Sequence, residues 1–213
     1  VKNNIEVIKM MTVLENHELI AKISSHGAEL HSLYDKTTKT EYIWQGDKTY
    51  WSWHAPICFP ITGRVHNDEY IFEDKKYALT VHGFARDYEF SLLKKTENSV
   101  IYELIYNDES LKVYPFKFSL QLEYVLSENG LQVNYTVKNL EDVNKDIFFA
   151  LGLHTAYNCP LEKTDDFEDY ELIFEQKETA KRHFLSNGII NNETADLLND
   201  EDTLSIKNYL KKI

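Results

Sequence analysis

The amino-acid sequence predicts an all-β protein built from antiparallel sheets. Short strand-like runs recur along the chain, and polar turn residues separate them. The clearest run spans residues 116–126, where Phe, Leu and Tyr alternate with Lys, Ser, Gln and Glu. Such alternation gives a strand one dry face and one wetter face. Few segments have helical spacing, so regular strands with turn signals favour a sandwich or a barrel.

The first half of the chain is predicted to form strand pairs. Residues 12–15 and 18–24 are joined at Asn16-His17, and a second hairpin is expected around Glu73-Asp74-Lys75-Lys76. Residues 1–11 are interpreted as an N-terminal tail. Residues 12–213 contain no repeat and no low-complexity linker, so we expect one domain there.

The second half contains the strongest strand signals. Strands are predicted over 88–93, 99–106, 116–126 and 131–138, with Asn129-Gly130 as a hairpin turn. The apolar run 146–151 is predicted to be a buried strand that leads to His154, and 171–175 to be a further short strand. The tail from Asn191 to Ile213 fits either a short helix or an edge strand.

Composition excludes several classes of function. The chain has 213 residues and a net charge of −12, and this acidic balance makes nucleic acid an unfavourable partner. No apolar run is long enough to cross a bilayer, so we expect no membrane partner. The first residues lack the apolar core of a signal peptide, which together with the cysteine usage predicts a cytoplasmic protein.

The two cysteines and the histidines predict neither a disulfide framework nor a cofactor. Cys58 and Cys159 fit a reducing compartment, where each is expected to be a small buried apolar residue. No Cys/His cluster has zinc spacing, and no Walker or Rossmann glycine pattern occurs. We therefore expect no metal and no cofactor.

A seven-residue stretch, Val81-His82-Gly83-Phe84-Ala85-Arg86-Asp87, interrupts the strand pattern with polar groups. A strand leads into it and a strand-like run follows, so it is predicted to be a turn that presents side chains at a strand end. Gly83 allows the backbone to bend or to approach a ligand closely. Two interpretations stay open: a binding site, or a strand-end histidine beside an ordinary Arg86–Asp87 surface ion pair.

Two further polar stretches favour the binding site. Phe59-Pro60-Ile61-Thr62-Gly63-Arg64 lies upstream, and Leu151-Gly152-Leu153-His154-Thr155-Ala156-Tyr157-Asn158 lies downstream. The aromatic segment 47–55, which includes Trp51, is either core or a wall for the apolar face of a sugar ring.

These stretches together resemble the aldose 1-epimerase (galactose mutarotase) family, in particular its LacX-like branch. The resemblance extends over nearly the whole chain and includes residues 25–30 and 42–47. It implies a galactose mutarotase-like antiparallel β-supersandwich, carbohydrate binding and no cofactor. It also implies an isomerase that interconverts the α and β anomers of an aldose by acid/base ring opening.

The resemblance assigns roles to particular residues. His154 corresponds to the family's general acid, and His82 to the other active-site histidine, which hydrogen-bonds the sugar. Arg64 corresponds to a substrate-binding arginine. Phe84, Arg86 and Trp51 are the remaining predicted sugar contacts. Histidine suits this chemistry because its ordinary pKa lies near 6.5.

Two departures from the family pattern leave the function open. The context of His154 is Leu153-His154-Thr155 rather than Gly-His-Pro. No glutamate after His154 lies in the Glu-Pro-Trp-like context of the family's catalytic base, so the chain is interpreted as lacking the C-terminal block of the fold. The alternatives are therefore an aldose 1-epimerase, a sugar-binding protein without catalysis, and a hexose-6-phosphate epimerase. The oligomeric state is open, with association through an edge strand as one expectation.

Overall fold

The first sheet of the structure is formed by the N-terminal strands. The structure is a computed structural model that describes residues 10–162 and 164–207. The sheet contains, in this order, β1 (Met11–Glu15), β2 (Leu19–Ser24), β3 (Leu30–Asp35) and β4 (Thr40–Glu41). Asn16 fixes the first turn, because its Oδ1 accepts hydrogen bonds from the backbone N–H groups of Glu18 and Leu19. The predicted first strand pair is thus confirmed.

Three short strands follow. They are β5 (Ile57–Cys58), β6 (Glu69–Phe72) and β7 (Lys75–Ala78). Strands β6 and β7 form the predicted hairpin, although its turn contains only Glu73 and Asp74, both with positive φ. Positive φ at both central residues matches the right-handed twist of the flanking strands.

The second sheet carries the clearest sequence signal. It is formed by β8 (Ser91–Lys95), β9 (Ser99–Ile105), β10 (Phe118–Ser127) and β11 (Gly130–Asn139), in the order β11-β10-β9-β8. A short helix, α1 (Asp108–Val113), lies between β9 and β10 and is capped by Asn107. On β10, alternate apolar residues from Phe118 to Leu126 are buried, as the pattern predicted.

The two sheets pack face to face. The Thr12 and Tyr102 hydroxyls are 2.7 Å apart, and the Tyr124 hydroxyl donates to the Ala28 carbonyl at 2.7 Å. All four residues are buried, so these contacts connect the sheets through the core. The sandwich of antiparallel sheets that the sequence predicted is confirmed.

The predicted buried strand over 146–151 is wrong. The structure assigns no strand there, and the rings of Phe148 and Phe149 are 63% and 45% exposed. Only the short strand β12 (Gly152–Leu153) follows, paired with β5. A continuous apolar run does not by itself distinguish a buried strand from an apolar surface segment.

A long hairpin forms the C-terminal part of the described chain. The chain divides after Tyr157 into two compact units. The second unit contains β13 (Glu171–Ser186) and β14 (Ile189–Ser205), so the predicted strand at 171–175 is much longer than expected. Residues 1–9, 163 and 208–213 lie outside the described residues, and so does most of the predicted N-terminal tail. The single domain over 12–213 stays a prediction.

Candidate active site

The stretch from Val81 to Asp87 forms a tight loop held against β5. The backbone N–H groups of Phe84 and Ala85 both donate to the Phe59 carbonyl, at 3.0 and 3.2 Å. Gly83 has φ +73°, and a Cβ there would lie 2.1 Å from that same carbonyl oxygen. Only glycine fits this approach, because any side chain would displace the loop.

His82 is fixed by two hydrogen bonds with Gly63. Its backbone N–H donates to the Gly63 carbonyl at 2.7 Å, and its Nδ1 accepts from the Gly63 N–H at 3.1 Å. An accepting Nδ1 carries no proton in the neutral ring, so the proton lies on Nε2. The loop that ends in Gly63-Arg64 therefore selects the tautomer of His82.

The backbone of His82 is itself unusual. Its φ is +65°, a conformation that non-glycine residues rarely adopt. Such strain persists only where the surroundings impose it, and it is common at functional sites. Here the imposing contacts are the Gly63 bonds and the bond from the Phe59 N–H to the His82 carbonyl at 3.1 Å.

His154 reaches the same place from β12. Its N–H donates to the Pro56 carbonyl at 3.1 Å, which continues the pairing of β12 with β5. The ring centroids of His82 and His154 are 5.3 Å apart, in an edge-on arrangement at 73°. The two histidines lie about 70 positions apart in the sequence, and the short pairing of β5 with β12 brings them together.

Trp51 also lies beside His154. Its ring centroid is 5.1 Å from that of His154, with the planes at 35°. The Trp51 carbonyl accepts a hydrogen bond from the Trp44 indole at 2.8 Å, which anchors the segment. The Trp51 ring is half-buried, so it borders the histidine pair without being enclosed.

The surroundings keep His82 uncharged. Burial, and then the neighbouring Arg86 and His154, lower the pKa of His82 below the ordinary value. At neutral pH, His82 is therefore a neutral ring with an Nε2–H donor. A neutral donor of this kind is suited to a hydroxyl or a ring oxygen.

The two predicted arginines have different surroundings. The Nε of Arg64 lies 3.0 Å from Asp68 Oδ1, and its side chain is 38% exposed. Arg86 is largely buried: its Nη2 donates to the Val81 carbonyl at 3.0 Å, and its guanidinium lies 5.1 Å from the centroid of the Trp53 ring. The Arg86–Asp87 pair is 3.8 Å apart and is not the surface ion pair of the alternative interpretation, since Arg86 is only 16% exposed.

Phe84 does not fit the cleft-wall role that was predicted for it. Phe84 is only 7% exposed, and its ring packs among those of Phe59, Tyr114 and Phe118. It therefore supports the loop from within the core. The sequence pattern did not distinguish a residue that anchors the loop in the core from one that contacts a ligand.

Sequence reasoning missed Asp68 and Trp53, which contact the two arginines. Asp68 lies four positions after Arg64, and this spacing is itself a signal for an ion pair.

Cys58 is buried as predicted, and burial raises the pKa of its thiol, whereas Cys159 is only partly buried. No helix in the described ranges is long and apolar enough to span a membrane.

Comparisons with known proteins identify the family of the chain. The family model described as Aldose 1-epimerase matches residues 10–203. Protein LacX, chromosomal, from Lactococcus lactis subsp. lactis is 36% identical over 188 residues, which are 84% of this chain and 62% of that protein. The chain thus spans less than two thirds of that relative.

Solved structures give the same result. The structure of a galactose mutarotase related enzyme from Lactobacillus acidophilus has a TM-score of 0.86 and 34% identity, over 92% of this chain and 65% of that one. A galactose mutarotase-like protein from Lactobacillus casei has a TM-score of 0.82 and 38% identity, over 92% and 67% of the two chains. The chain belongs to the aldose 1-epimerase family, and its relatives include the LacX proteins.

Proposed function

We propose that the chain binds an aldohexose beside His82 and His154, as part of an aldose 1-epimerase that interconverts α and β anomers. The observation that carries the proposal is the pair of imidazole rings 5.3 Å apart, with Trp51 against one of them. Two donor rings at this separation can contact neighbouring oxygens of one sugar. An indole face beside them suits the apolar C–H face of a pyranose ring.

The proposed reaction needs one acid and one base. A base takes the proton of the anomeric hydroxyl, and His154 gives a proton to the ring oxygen. The bond between C1 and the ring oxygen breaks, which yields the open-chain aldehyde. Rotation about C1–C2 and reclosure return both protons and give the other anomer. His82 donates from Nε2 to the sugar, and Arg64 binds its hydroxyls.

A second candidate is sugar binding without catalysis. Within residues 10–162 and 164–207, no carboxylate forms a hydrogen bond or ion pair with His82 or His154. This observation favours the second candidate for the 213-residue chain. The chain spans 62% of the length of the LacX relative. The interconversion of anomers by the whole protein is therefore itself a proposal.

The contacts of Arg86 do not favour a sugar phosphate as the ligand. Its guanidinium is directed at the Val81 carbonyl and the Trp53 ring, and it is largely buried. Phosphate sites use arginine in a bidentate, accessible arrangement. A role of Arg86 in holding the loop therefore agrees better with its surroundings than direct contact with a ligand.

Polarimetry on freshly dissolved α-D-galactose and α-D-glucose tests the two candidates. We expect the 213-residue chain to accelerate mutarotation little, and His154→Asn to change the rate little, because no carboxylate of the described residues pairs with either ring. A positioned acid–base group contributes about 10²- to 10⁴-fold. Fast mutarotation that His154→Asn reduces by such a factor would overturn the non-catalytic candidate and would support the enzyme. His17→Asn is the control, since His17 is exposed.

A further inference from the structure

A second group of histidines lies apart from His82 and His154. Glu29 directly precedes β3, His31 lies in β3, and His54 lies in the segment before β5. One ligand atom from each of the three residues lies within 4.8 Å of the others. Among the described residues, no other three metal-ligating side chains bring their ligand atoms this close together.

The carboxylate of Glu29 is the centre of the group. Its Oε2 lies 3.2 Å from His31 Nε2, and its Oε1 lies 3.8 Å from His54 Nδ1. The two imidazole rings stack with centroids 3.9 Å apart and planes at 16°. The side chain of Glu29 is 6% exposed, so the carboxylate is almost completely enclosed.

The backbone holds this carboxylate in place. The N–H groups of His54 and Ala55 donate to Glu29 Oε1 at 2.7 and 3.0 Å. The carboxylate is therefore both buried and oriented, and buried carboxylates are paired with charges or metal ions.

The Nδ1 atom of His54 is the least satisfied atom of the group. It is enclosed and has no hydrogen-bond partner among the described residues. An enclosed nitrogen without a partner is costly unless something binds it, and imidazole nitrogens are common metal ligands.

We propose that Glu29, His31 and His54 bind one divalent transition-metal ion, for which zinc is the best fit. Two imidazoles and one carboxylate form a zinc donor set, and they favour transition metals over calcium or magnesium, which take oxygen ligands. Ligands 2.0–2.1 Å from a tetrahedral zinc lie roughly 3.3 Å apart. Binding thus requires the imidazoles to turn and the widest ligand separation to close by about 1–1.5 Å.

The ion would join two parts of the first unit. His31 belongs to the first sheet, and the His54 carbonyl accepts a hydrogen bond from Ala156, two residues after His154. A metal on His54 would therefore tie the segment beside His154 to the sheet. The sequence predicted no metal site, because positions 29, 31 and 54 do not have zinc-finger spacing.

Zinc titration of the EDTA-treated 213-residue chain by isothermal calorimetry tests the proposal. We expect one zinc ion per chain, and at least about tenfold weaker binding in His31→Gln and His54→Gln, since even changes outside the ligands cost 10–100-fold. His17→Gln is the matched control, because His17 also lies 3.6 Å from a glutamate but is exposed and has no third partner. It should bind zinc as the parent chain does.

Cobalt provides a second readout that does not depend on activity. Co²⁺ in the site should give a visible absorption band that zinc displaces and that is missing in His31→Gln, with folding of each variant checked by circular dichroism. Absence of zinc binding to the parent chain would overturn the proposal. Equal binding by the parent, His31→Gln and His54→Gln would also overturn it, since the ion would then lie elsewhere. Neither result would bear on sugar binding by His82 and His154.

Discussion

His82 depends on its neighbours for its protonation state. Burial, and then the neighbouring Arg86 and His154, lower its pKa, so its neutral form persists to lower pH than that of an exposed histidine. As pH falls below the ordinary histidine pKa, the unfolded chain binds this proton first. The contribution of His82 to stability is therefore fully present at neutral and higher pH and is lost as pH falls through its folded pKa.

Replacement of Arg86 by Gln should raise the pKa of His82. The substitution removes the positive charge that, after burial, disfavours the imidazolium. A pH titration of the His82 ring by NMR measures the change. Lys94→Gln removes one exposed charge from β8 and should leave the pKa of His82 where it was. An unchanged His82 titration in Arg86→Gln would contradict this electrostatic coupling.

Gly83 is the residue on which the loop geometry depends most. Gly83→Ala should destabilise the protein by about 1–3 kcal/mol or more, because it adds a clash with Phe59 to the cost of a positive φ. Gly63→Ala separates the two effects, since Gly63 has φ +81° but no atom within 4 Å of an added Cβ. Urea unfolding should show the larger loss for Gly83→Ala, and equal losses would exclude the clash as the cause.

Among the elements, the strands were more predictable than their ends. Alternation over 116–126 predicted β10 closely, because one face of β10 is fully buried. The predicted Asn129-Gly130 turn is displaced by one residue, since the turn contains Glu128 and Asn129 and Gly130 already pairs with Ser127. The prediction of a buried strand over 146–151 was wrong, since a run of adjacent apolar residues carries no information about which partner covers it. The length of β13 and β14 was also missed, because their sequences are mostly polar and exposed.

The hydroxyl of Tyr124 connects the two sheets of the sandwich. Tyr124→Phe should cost about 1–3 kcal/mol of unfolding free energy, because the buried Ala28 carbonyl loses its cross-sheet donor. Tyr50→Phe, at a residue that is 80% exposed, should change stability little. Urea denaturation compares the two variants, and equal stabilities would show that the Ala28 carbonyl finds another partner.

We predict that copies of the chain associate through the β13–β14 hairpin. In the described part of the second unit, each of these strands pairs only with the other, and Leu172, Ile173 and Ile190 are more than half exposed. Open strand edges with apolar side chains recruit further strands. Sedimentation velocity should show association that rises with concentration and that Ile173→Lys reduces. A monomer at every concentration would contradict the expectation.

For the whole molecule, the family could be recognised from the sequence more readily than the details of its site. The order of three polar stretches pointed to His82 and His154, and the structure places their rings together. The structure also shows that Phe84 is a core residue and that Arg86 bonds to the Val81 carbonyl of its own loop. Sequence periodicity could not reveal these contacts, because they depend on tertiary packing. The Glu29–His31–His54 group was missed for the same reason. The cytoplasmic location stays a prediction.

The most direct test of the sugar site is an NMR titration of the histidine rings with D-galactose. If His82 and His154 contact one sugar, the ring signals of both should shift along the same saturation curve. The signals of exposed His17 should stay in place. Ring signals of His82 and His154 that do not move at saturating sugar, or only one of which moves, would contradict the assignment of these residues to one sugar-binding site.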